Sequence, residues 1–379
     1  MEQVARPLLV LHLTGSPLQV GLVIAARTVP QFVFGLLAGV IADRYDKRRV
    51  LIWCQTATLL MHLILGLLVV SGRVELWHVF LTAFGAGAAN AFNQPARQSL
   101  LPRLVPREDL LNALALNSAA MNIMRVAGAG LAGVLLIPFD YGEVYLLIAL
   151  IDGVAIFTTF RIRVPAAPET RGQRERRSAS LLSDFVEGLR HVNRDRKVLY
   201  LVGMALILFV LGQPYQQVSV PLLALDVLHL GRSGAGWMLA LIGVGAMAGS
   251  LTVASKGHLP RRGLLMLGLL MVFGLALILL SQSRWLPLSA VALLVAGSVS
   301  TTYMALNNSL ILEQTPPEFH GRVMSLMSLD RGLVSLGAIL SGGLAQLWGP
   351  QLGLTVLAGV CLGLTLLAAV ALPVLRRMQ

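Results

Sequence analysis

Eleven long apolar runs, separated by short polar gaps, dominate the pattern of hydrophobic and polar positions along this chain. A helix that crosses a membrane needs about 20 mostly apolar residues. The gaps contain turn-forming residues, such as Gly15-Ser16-Pro17 and Gly349-Pro350. The runs lie near residues 20–42, 50–71, 76–97, 113–137, 143–162, 198–223, 235–255, 263–282, 286–309, 322–347 and 351–373. The pattern predicts an all-α membrane protein surrounded by a lipid bilayer.

An internal repeat divides the runs into two sets. Residues 2–11 match residues 216–225 at six of ten positions, an offset of 214. Val105-Pro106-Arg107-Glu108 corresponds to Thr315-Pro316-Pro317-Glu318 at an offset of 210. Because the shared Pro and Glu positions lie in loops, chance likeness between apolar helices is the weaker explanation. The repeat predicts two six-helix bundles related by duplication.

The repeat also sets the expected boundaries. The first half covers 1–163, a basic linker covers 164–196, and the second half covers 197–379. Within the linker, Leu181, Phe185, Leu189 and Val192 have helical spacing and predict an amphipathic helix on the membrane surface. A solvated linker that sets topology is the preferred interpretation, with regulatory binding of a partner as the alternative.

The first helix is expected to be truncated in this chain. Val4–Leu13 is too short to cross a bilayer, whereas its counterpart in the second copy begins near Lys197, well before Gln217. Glu2 precedes this segment and no small-residue cleavage site follows, which disfavours a signal peptide. We expect the natural chain to begin roughly 20 to 30 residues earlier, enough to complete a span.

Composition and charge agree with a multi-pass protein. Of the 379 residues, 56% are hydrophobic and 13% are charged, against roughly a quarter charged in soluble domains. The net charge of +12 does not indicate a nucleic-acid partner, because the Lys and Arg residues lie in the gaps and no aromatic residues interleave them. Cys54 and Cys361 lie in apolar runs and predict neither a disulfide nor a metal site.

The basic residues also predict the orientation. On one side of the predicted bundle lie 23 Lys and Arg residues, and on the other only Arg73, Arg232 and Arg284. Since cytoplasmic loops carry the excess of Lys and Arg, the basic side is expected to be cytoplasmic, together with the C-terminus. This predicts a multi-pass protein of the inner (plasma) membrane.

One loop after the second run resembles a family motif. Gly39-Val40-Ile41-Ala42-Asp43-Arg44-Tyr45-Asp46-Lys47-Arg48-Arg49 is similar to the Gly-x-x-x-Asp-Arg-x-Gly-Arg-Arg loop of the major facilitator superfamily, with Asp46 in place of the usual Gly. Other stretches resemble its drug- and siderophore-efflux branch, which includes macrolide and enterobactin exporters: Leu13-Thr14-Gly15-Ser16-Pro17, Asn93-Gln94-Pro95-Ala96-Arg97, Leu101-Pro102-Arg103-Leu104-Val105-Pro106 and His320-Gly321-Arg322-Val323-Met324-Ser325-Leu326. The resemblance covers nearly the whole chain.

The resemblance implies an inner gate at the loop. A carboxylate at Asp43 can accept from a basic partner or from a helix N-terminus of the other half, and such contacts would break when the gate opens. Anchoring of topology alone is the alternative. The predicted gating residues are Gly39, Asp43, Arg44, Asp46, Arg48 and Arg49.

Two departures weaken the motif argument for proton antiport. The fifth run keeps Gly128 and Gly133 but lacks the proline that antiporters of the superfamily often have there. Thr82 stands where many carry an arginine. Proton coupling is therefore implied by kinship more than by motif.

Ionisable groups inside the runs are functional candidates, because charge is costly in a bilayer. The sequence shows no partner for His62 or Asp152, and interhelical pairing is the alternative role for each charged group. A proton carrier must titrate within the membrane, which favours Asp152, Asp330 or the missing part of the first helix. The charged candidates are Arg27, Arg125, Asp152, Asp330 and Arg331, and Arg6 also lies within a span.

The resemblance further implies a central cavity lined by helices one, four, seven and ten. Its polar side chains are largely uncharged, which suits an amphipathic cargo; hydrogen bonding between helices is the alternative role. Pro214 and Pro221 are expected to interrupt the seventh helix. The cavity candidates are Asn90, Asn93, Gln213, Tyr215, Gln216, Gln217, Tyr303 and Asn307.

These features predict a secondary active transporter that acts as a monomer. We expect proton-coupled efflux of a drug, macrolide or siderophore by alternating access. Uptake by a permease of the same fold, or a non-transporting scaffold or sensor, remains open. No nucleotide-binding loop, His-Glu-x-x-His motif or Cys cluster is present in the sequence, so we expect no enzyme activity, cofactor or metal.

Overall fold

The computed structural model describes residues 1–162, 190, 192–255, 261–316, 319, 323 and 330–376, and these residues are almost entirely helical, with no strand among them. The first half contains six helices: α1 Glu2–Thr14, α2 Pro17–Arg44, α3 Lys47–Val70, α4 Leu76–Leu104, α5 Leu110–Leu135 and α6 Tyr141–Arg161. The predicted linker, 164–196, lies almost wholly outside the described residues.

The second half repeats this arrangement. It contains α7 Arg196–Val227, α8 Gly231–Ser255, α9 Arg262–Gln282 and α10 Leu286–Gln314. The last two helices, α11 (330–348) and α12 (350–371), form one continuous segment, Asp330–Ala371, that kinks at Gly349, where φ is 82° and ψ is 163°. A short helix, α13 Pro373–Arg376, follows.

The all-α membrane fold is confirmed. Eight helices within the described residues are long and apolar enough to cross a membrane, with α11 and α12 counted as one. The order and lengths of the helices are consistent with two six-helix bundles. At 1.5 Å per residue, the 13 residues of α1 extend about 20 Å, less than the roughly 30 Å of a hydrocarbon core.

The seventh helix is interrupted, as its prolines predict. A π-helical turn occupies Leu208–Gly212, a 3₁₀ turn occupies Gln213–Gln216, and a second π-helical turn occupies Leu223–Val227. Proline removes a backbone donor and clashes with the preceding turn, which forces such local changes of helix type. Gln213, Gln216 and Gln217 therefore lie where the backbone of α7 departs from a regular α-helix.

Helix direction alternates along the chain, so the bundle has two ends. At the basic end α3, α7 and α9 begin and α6 ends, with Lys47, Arg161, Arg196 and Arg262. At the opposite end lie Gly15, Arg73, Asp140, Arg232 and Gly349. The Asp140 side chain begins α6 with a capping box to Glu143 at the opposite end.

Two helix pairs join the halves, α2 with α11 and α5 with α8. Small residues let these backbones approach closely, as is usual where helices meet inside a membrane. A Cβ added at Gly21 of α2 would lie 2.3 Å from the carbonyl oxygen of Ala338 on α11. A Cβ added at Gly236 of α8 would lie 2.3 Å from Cα of Gly133 on α5.

The halves are closed against each other at the opposite end. Ser16 Oγ donates to Gln346 Oε1 at 2.9 Å, and Arg232 pairs with Asp140 at 2.6 Å. Toward the basic end, Met121, Ile123, Met124 and Arg125 of α5 are exposed, and at 100° per residue they span about 200° of that turn. We interpret the structure as closed at the opposite end and open toward the basic end.

Candidate functional site

A buried cluster of charged side chains lies inside the first half, with Glu2 of α1 at its centre. Glu2 Oε1 lies 2.9 Å from a guanidinium nitrogen of Arg6, one turn further along α1. Glu2 Oε2 lies 2.8 Å from a guanidinium nitrogen of Arg27 on α2. The side chain of Glu2 is 12% exposed and that of Arg6 is 4% exposed, so both charges are largely removed from solvent.

His62 of α3 extends the cluster to α6. Its Nδ1 lies 2.6 Å from Asp152 Oδ2, and its Nε2 lies 3.5 Å from Glu2 Oε2. The imidazole is therefore placed between two carboxylates from different helices. Tyr145, about two turns before Asp152 on α6, packs against the His62 ring with centroids 6.0 Å apart.

The charges in this cluster balance when His62 is neutral, since two carboxylates face two guanidinium groups. Buried charges are tolerated when they are paired, and removing one partner is costly because the other remains buried. Four helices, α1, α2, α3 and α6, contribute one or more members. The cluster can hold the first half together and can also accept or release a proton, as Asp, Glu and His chains do in membrane pumps.

The cluster borders a small cavity of about 10 Å³ between the halves, which has room for about one water molecule. Glu2, Arg6 and Arg27 line it from the first half, and Gln217 of α7 lines it from the second. Val10, Val20 and Val23 form the apolar part of its wall. Charge and amide groups thus meet where α1 and α2 approach the interrupted part of α7.

The structure brings some of the predicted cavity residues together and separates others. Gln216 Nε2 donates to Gln213 Oε1 at 3.3 Å, and Gln213 Nε2 lies 3.9 Å from Met304 Sδ on α10. Tyr215 instead packs edge-on against Phe273 of α9, with ring centroids 5.8 Å apart. Of the rest, Asn90 is exposed, Asn93 is half-buried, and Tyr303 and Asn307 are buried in α10.

Some of the predicted charged residues belong to the buried cluster, and others do not. Arg27 and Asp152 belong to one network, which Glu2 and His62 join. Arg125 is exposed on α5 and takes part in none of the ion pairs found among the described residues. The side chains of Asp330 and Arg331 lie outside the described residues.

The predicted site residues did not include Glu2, and Arg6 was noted only as a charge within a span. Both lie in the short first segment. The available signal was their spacing: opposite charges at positions i and i+4 face the same side of a helix and can pair. His62 and Asp152 are 90 residues apart, and nothing local indicates that they touch.

The predicted gating loop is partly described. The side chains of Gly39, Asp43 and Arg44 lie outside the described residues, so gating by Asp43 stays a prediction. Asp46 caps the start of α3 by accepting from the backbone N–H of Arg49 at 2.8 Å. Arg48 donates to the carbonyl oxygens of Thr159, at 3.3 Å, and Phe160, at the end of α6.

Replacing Arg48 with Ala is expected to destabilise the folded protein by about 1–3 kcal/mol, because its guanidinium satisfies two carbonyls of the last turn of α6. The measurement is thermal unfolding in detergent micelles. Arg49→Ala is the matched control, since the Arg49 side chain is exposed. Equal stability of the two variants would show that the contacts to α6 contribute nothing.

Comparison with curated proteins identifies relatives along most of the chain. A multidrug efflux pump, Tap, from Mycolicibacterium fortuitum is 28% identical over 354 residues, which is 91% of this chain and 85% of the relative. Macrolide efflux protein A from Streptococcus pyogenes is 22% identical over 86% of this chain and 81% of its own length. The enterobactin exporter EntS from Citrobacter koseri is 29% identical over 92% of this chain and 82% of its own length.

Solved structures share the fold at low sequence identity. The nucleoside transporter NupG superposes with a TM-score of 0.77 at 12% identity, covering 97% of this chain and 93% of that one. A bacterial homologue of the human lysosomal transporter Spinster, in an inward-facing and occupied conformation, gives a TM-score of 0.69 at 16% identity, covering 100% and 93%.

The family profile decides the assignment. The profile of the Major Facilitator Superfamily matches residues 3–336, which includes α1, the whole first half and most of the second. The chain is a transporter-type membrane protein, and it belongs to the Major Facilitator Superfamily.

Proposed function

We propose that this chain is a proton-coupled exporter of a small amphipathic molecule, and that it works by alternating access as a monomer. The observation that carries the proposal is the buried, titratable cluster that borders the pocket between α1, α2 and α7. A proton carrier has to change its charge within the membrane, and the proposal is supported by the place of this cluster among helices of a membrane bundle, next to the contact between the halves.

The closure at one end supports alternating access. Ser16–Gln346 and Arg232–Asp140 join the halves at the opposite end, while the α5 turn near Arg125 is uncovered toward the basic end. By the positive-inside rule the basic end is cytoplasmic. In this reading the structure is the inward-open state, from which an exporter takes up its cargo.

The relatives support export and a broad cargo class. Their names describe efflux of multiple drugs, macrolides and enterobactin. Gln217 lies beside valine and charged side chains in the pocket between the halves, and Gln213 and Gln216 form a hydrogen-bonded pair nearby on α7. This mixture of apolar and hydrogen-bonding groups suits an amphipathic molecule. We therefore propose a drug, a macrolide or a siderophore as the cargo.

Transport in inverted membrane vesicles tests the proposal. Vesicles with an acidified lumen are offered ethidium, erythromycin or enterobactin, and we expect accumulation of at least one that collapses when nigericin dissipates the pH gradient. Vesicles without the protein are the control. Accumulation only in right-side-out vesicles would indicate an uptake permease instead, and no flux of any probe by the folded protein would favour a scaffold or sensor.

A further inference from the structure

The ring of His62 lies between two carboxylates of the first half. Nδ1 lies 2.6 Å from Asp152 and Nε2 lies 3.5 Å from Glu2. The residue is 3% exposed, and Nε2 has no hydrogen-bond partner among the described residues. A buried polar atom without a partner is costly unless its protonation state changes.

We propose that His62 is the residue that carries the transported proton, and that its protonation draws Glu2 away from Arg27. This inference rests on the proposed proton-coupled export. The two nitrogens have separate roles. Nδ1–H donates to Asp152 and fixes the ring, whereas Nε2 binds and releases the proton.

The geometry explains why a proton fits at Nε2. In the neutral ring, the Nε2 lone pair faces a carboxylate oxygen of Glu2, so two acceptors oppose each other. A proton on Nε2 converts this contact into a charge-assisted hydrogen bond, and both carboxylates then accept from one imidazolium. No covalent bond other than N–H forms or breaks, and the proton leaves by the reverse step.

Charged and titratable groups from three helices surround the His62 ring. Glu2 and Arg6 face it from α1, Arg27 from α2, and Tyr145 and Asp152 from α6. The amino group of Met1 lies at the start of α1, beside Gly128 of α5. With His62 neutral, the charges of the two carboxylates and the two guanidinium groups balance, and protonation of His62 adds one positive charge to these side chains.

Glu2 links the protonation of His62 to the position of Arg27, because one of its carboxylate oxygens lies near both side chains. Oε2 lies 2.8 Å from Arg27 and 3.5 Å from His62. When His62 becomes cationic it competes with Arg27 for that oxygen, and the Arg27 guanidinium is released toward the pocket it shares with Gln217. Arg27 also lies on α2, which packs along α11 of the other half. Proton binding is thereby linked to the cavity between α1, α2 and α7 and to the contact between the halves.

The first test needs no cargo. Ser16 and Gln346 touch across the halves, so the pair Ser16→Cys and Gln346→Cys reports closure of the opposite end through its rate of disulfide formation. We expect this rate to change between about pH 5.5 and about pH 7.5, the range in which histidine titrates. The change should disappear in His62→Gln and persist in His12→Gln, the matched control at the exposed end of α1.

The second test uses the probe that the wild type transports. His62→Gln should lose about tenfold or more of its gradient-driven accumulation, a loss of coupling worth about 1.4 kcal/mol or more, while exchange of probe for probe without a gradient continues. Failure of the wild type to use the gradient would overturn the proposed function itself. A wild type that uses the gradient, together with a fully coupled His62→Gln, would overturn the assignment of His62 alone.

Discussion

Glu2→Gln is expected to abolish transport and to destabilise the folded chain by about 3–5 kcal/mol, the usual result of removing one member of a buried ion pair. Glu2 contacts Arg6, Arg27 and His62 with its two carboxylate oxygens. Without its charge, the buried guanidinium of Arg6 and the half-buried guanidinium of Arg27 lose their carboxylate partner. Thermal unfolding in detergent and vesicle transport are the measurements.

Two further variants test whether loss of the Glu2 charge causes these effects. Gln3→Asn changes the neighbouring exposed residue and should be close to neutral. The triple variant Glu2→Gln, Arg6→Gln, Arg27→Gln removes both guanidinium groups that Glu2 pairs with. It should be more stable than Glu2→Gln alone, because neither guanidinium is left without its carboxylate and Asp152 keeps its contact with His62. If Glu2→Gln unfolds at the wild-type temperature, the cluster does not hold the first half together.

Gly236→Val is expected to reduce transport by about 10- to 100-fold. The halves meet at Gly236 and Gly133 so closely that an added Cβ would lie 2.3 Å from the Cα of Gly133. Overpacking such a contact costs about 1–3 kcal/mol, which corresponds to that shift in the population of the state closed at the opposite end. The substitution should leave each half folded.

Gly268→Val on α9 is the matched control, because nothing lies within 4 Å of a Cβ at that position. Its transport rate should stay near that of the wild type. Equal rates for the two variants would mean that close approach of α5 and α8 is not part of the transport cycle.

Much of the fold could be predicted from sequence because the bilayer imposes a simple rule. Helices must be long and apolar to cross it, and glycine, proline and basic residues mark their ends. Pro214 and Pro221 also predicted the interruption of α7. The gap predicted at Gly349-Pro350 is confirmed, since Gly349 is non-helical and separates α11 from α12.

The charged cluster could not be predicted in the same way, because its members come from four helices. His62 and Asp152 meet only when α3 packs against α6. Sequence reasoning weighed each ionisable residue singly and found no partner for His62 or Asp152. Asp46, a predicted gating residue, also caps α3, and its part in gating stays a prediction. Local motifs identify a family, whereas partner choice within the bundle depends on packing between distant segments.

Distances between spin labels at both ends of the bundle test the central claim most directly. One pair replaces Ser16 and Gln346 at the opposite end, and the other replaces Arg49 and Arg196 at the basic end, with Cys54 and Cys361 changed to Ala. Alternating access predicts that cargo and pH change the two distances in opposite directions in the wild type, and that Gly236→Val lengthens the Ser16–Gln346 distance. Two distances that stay fixed, or that rise and fall together, would contradict it.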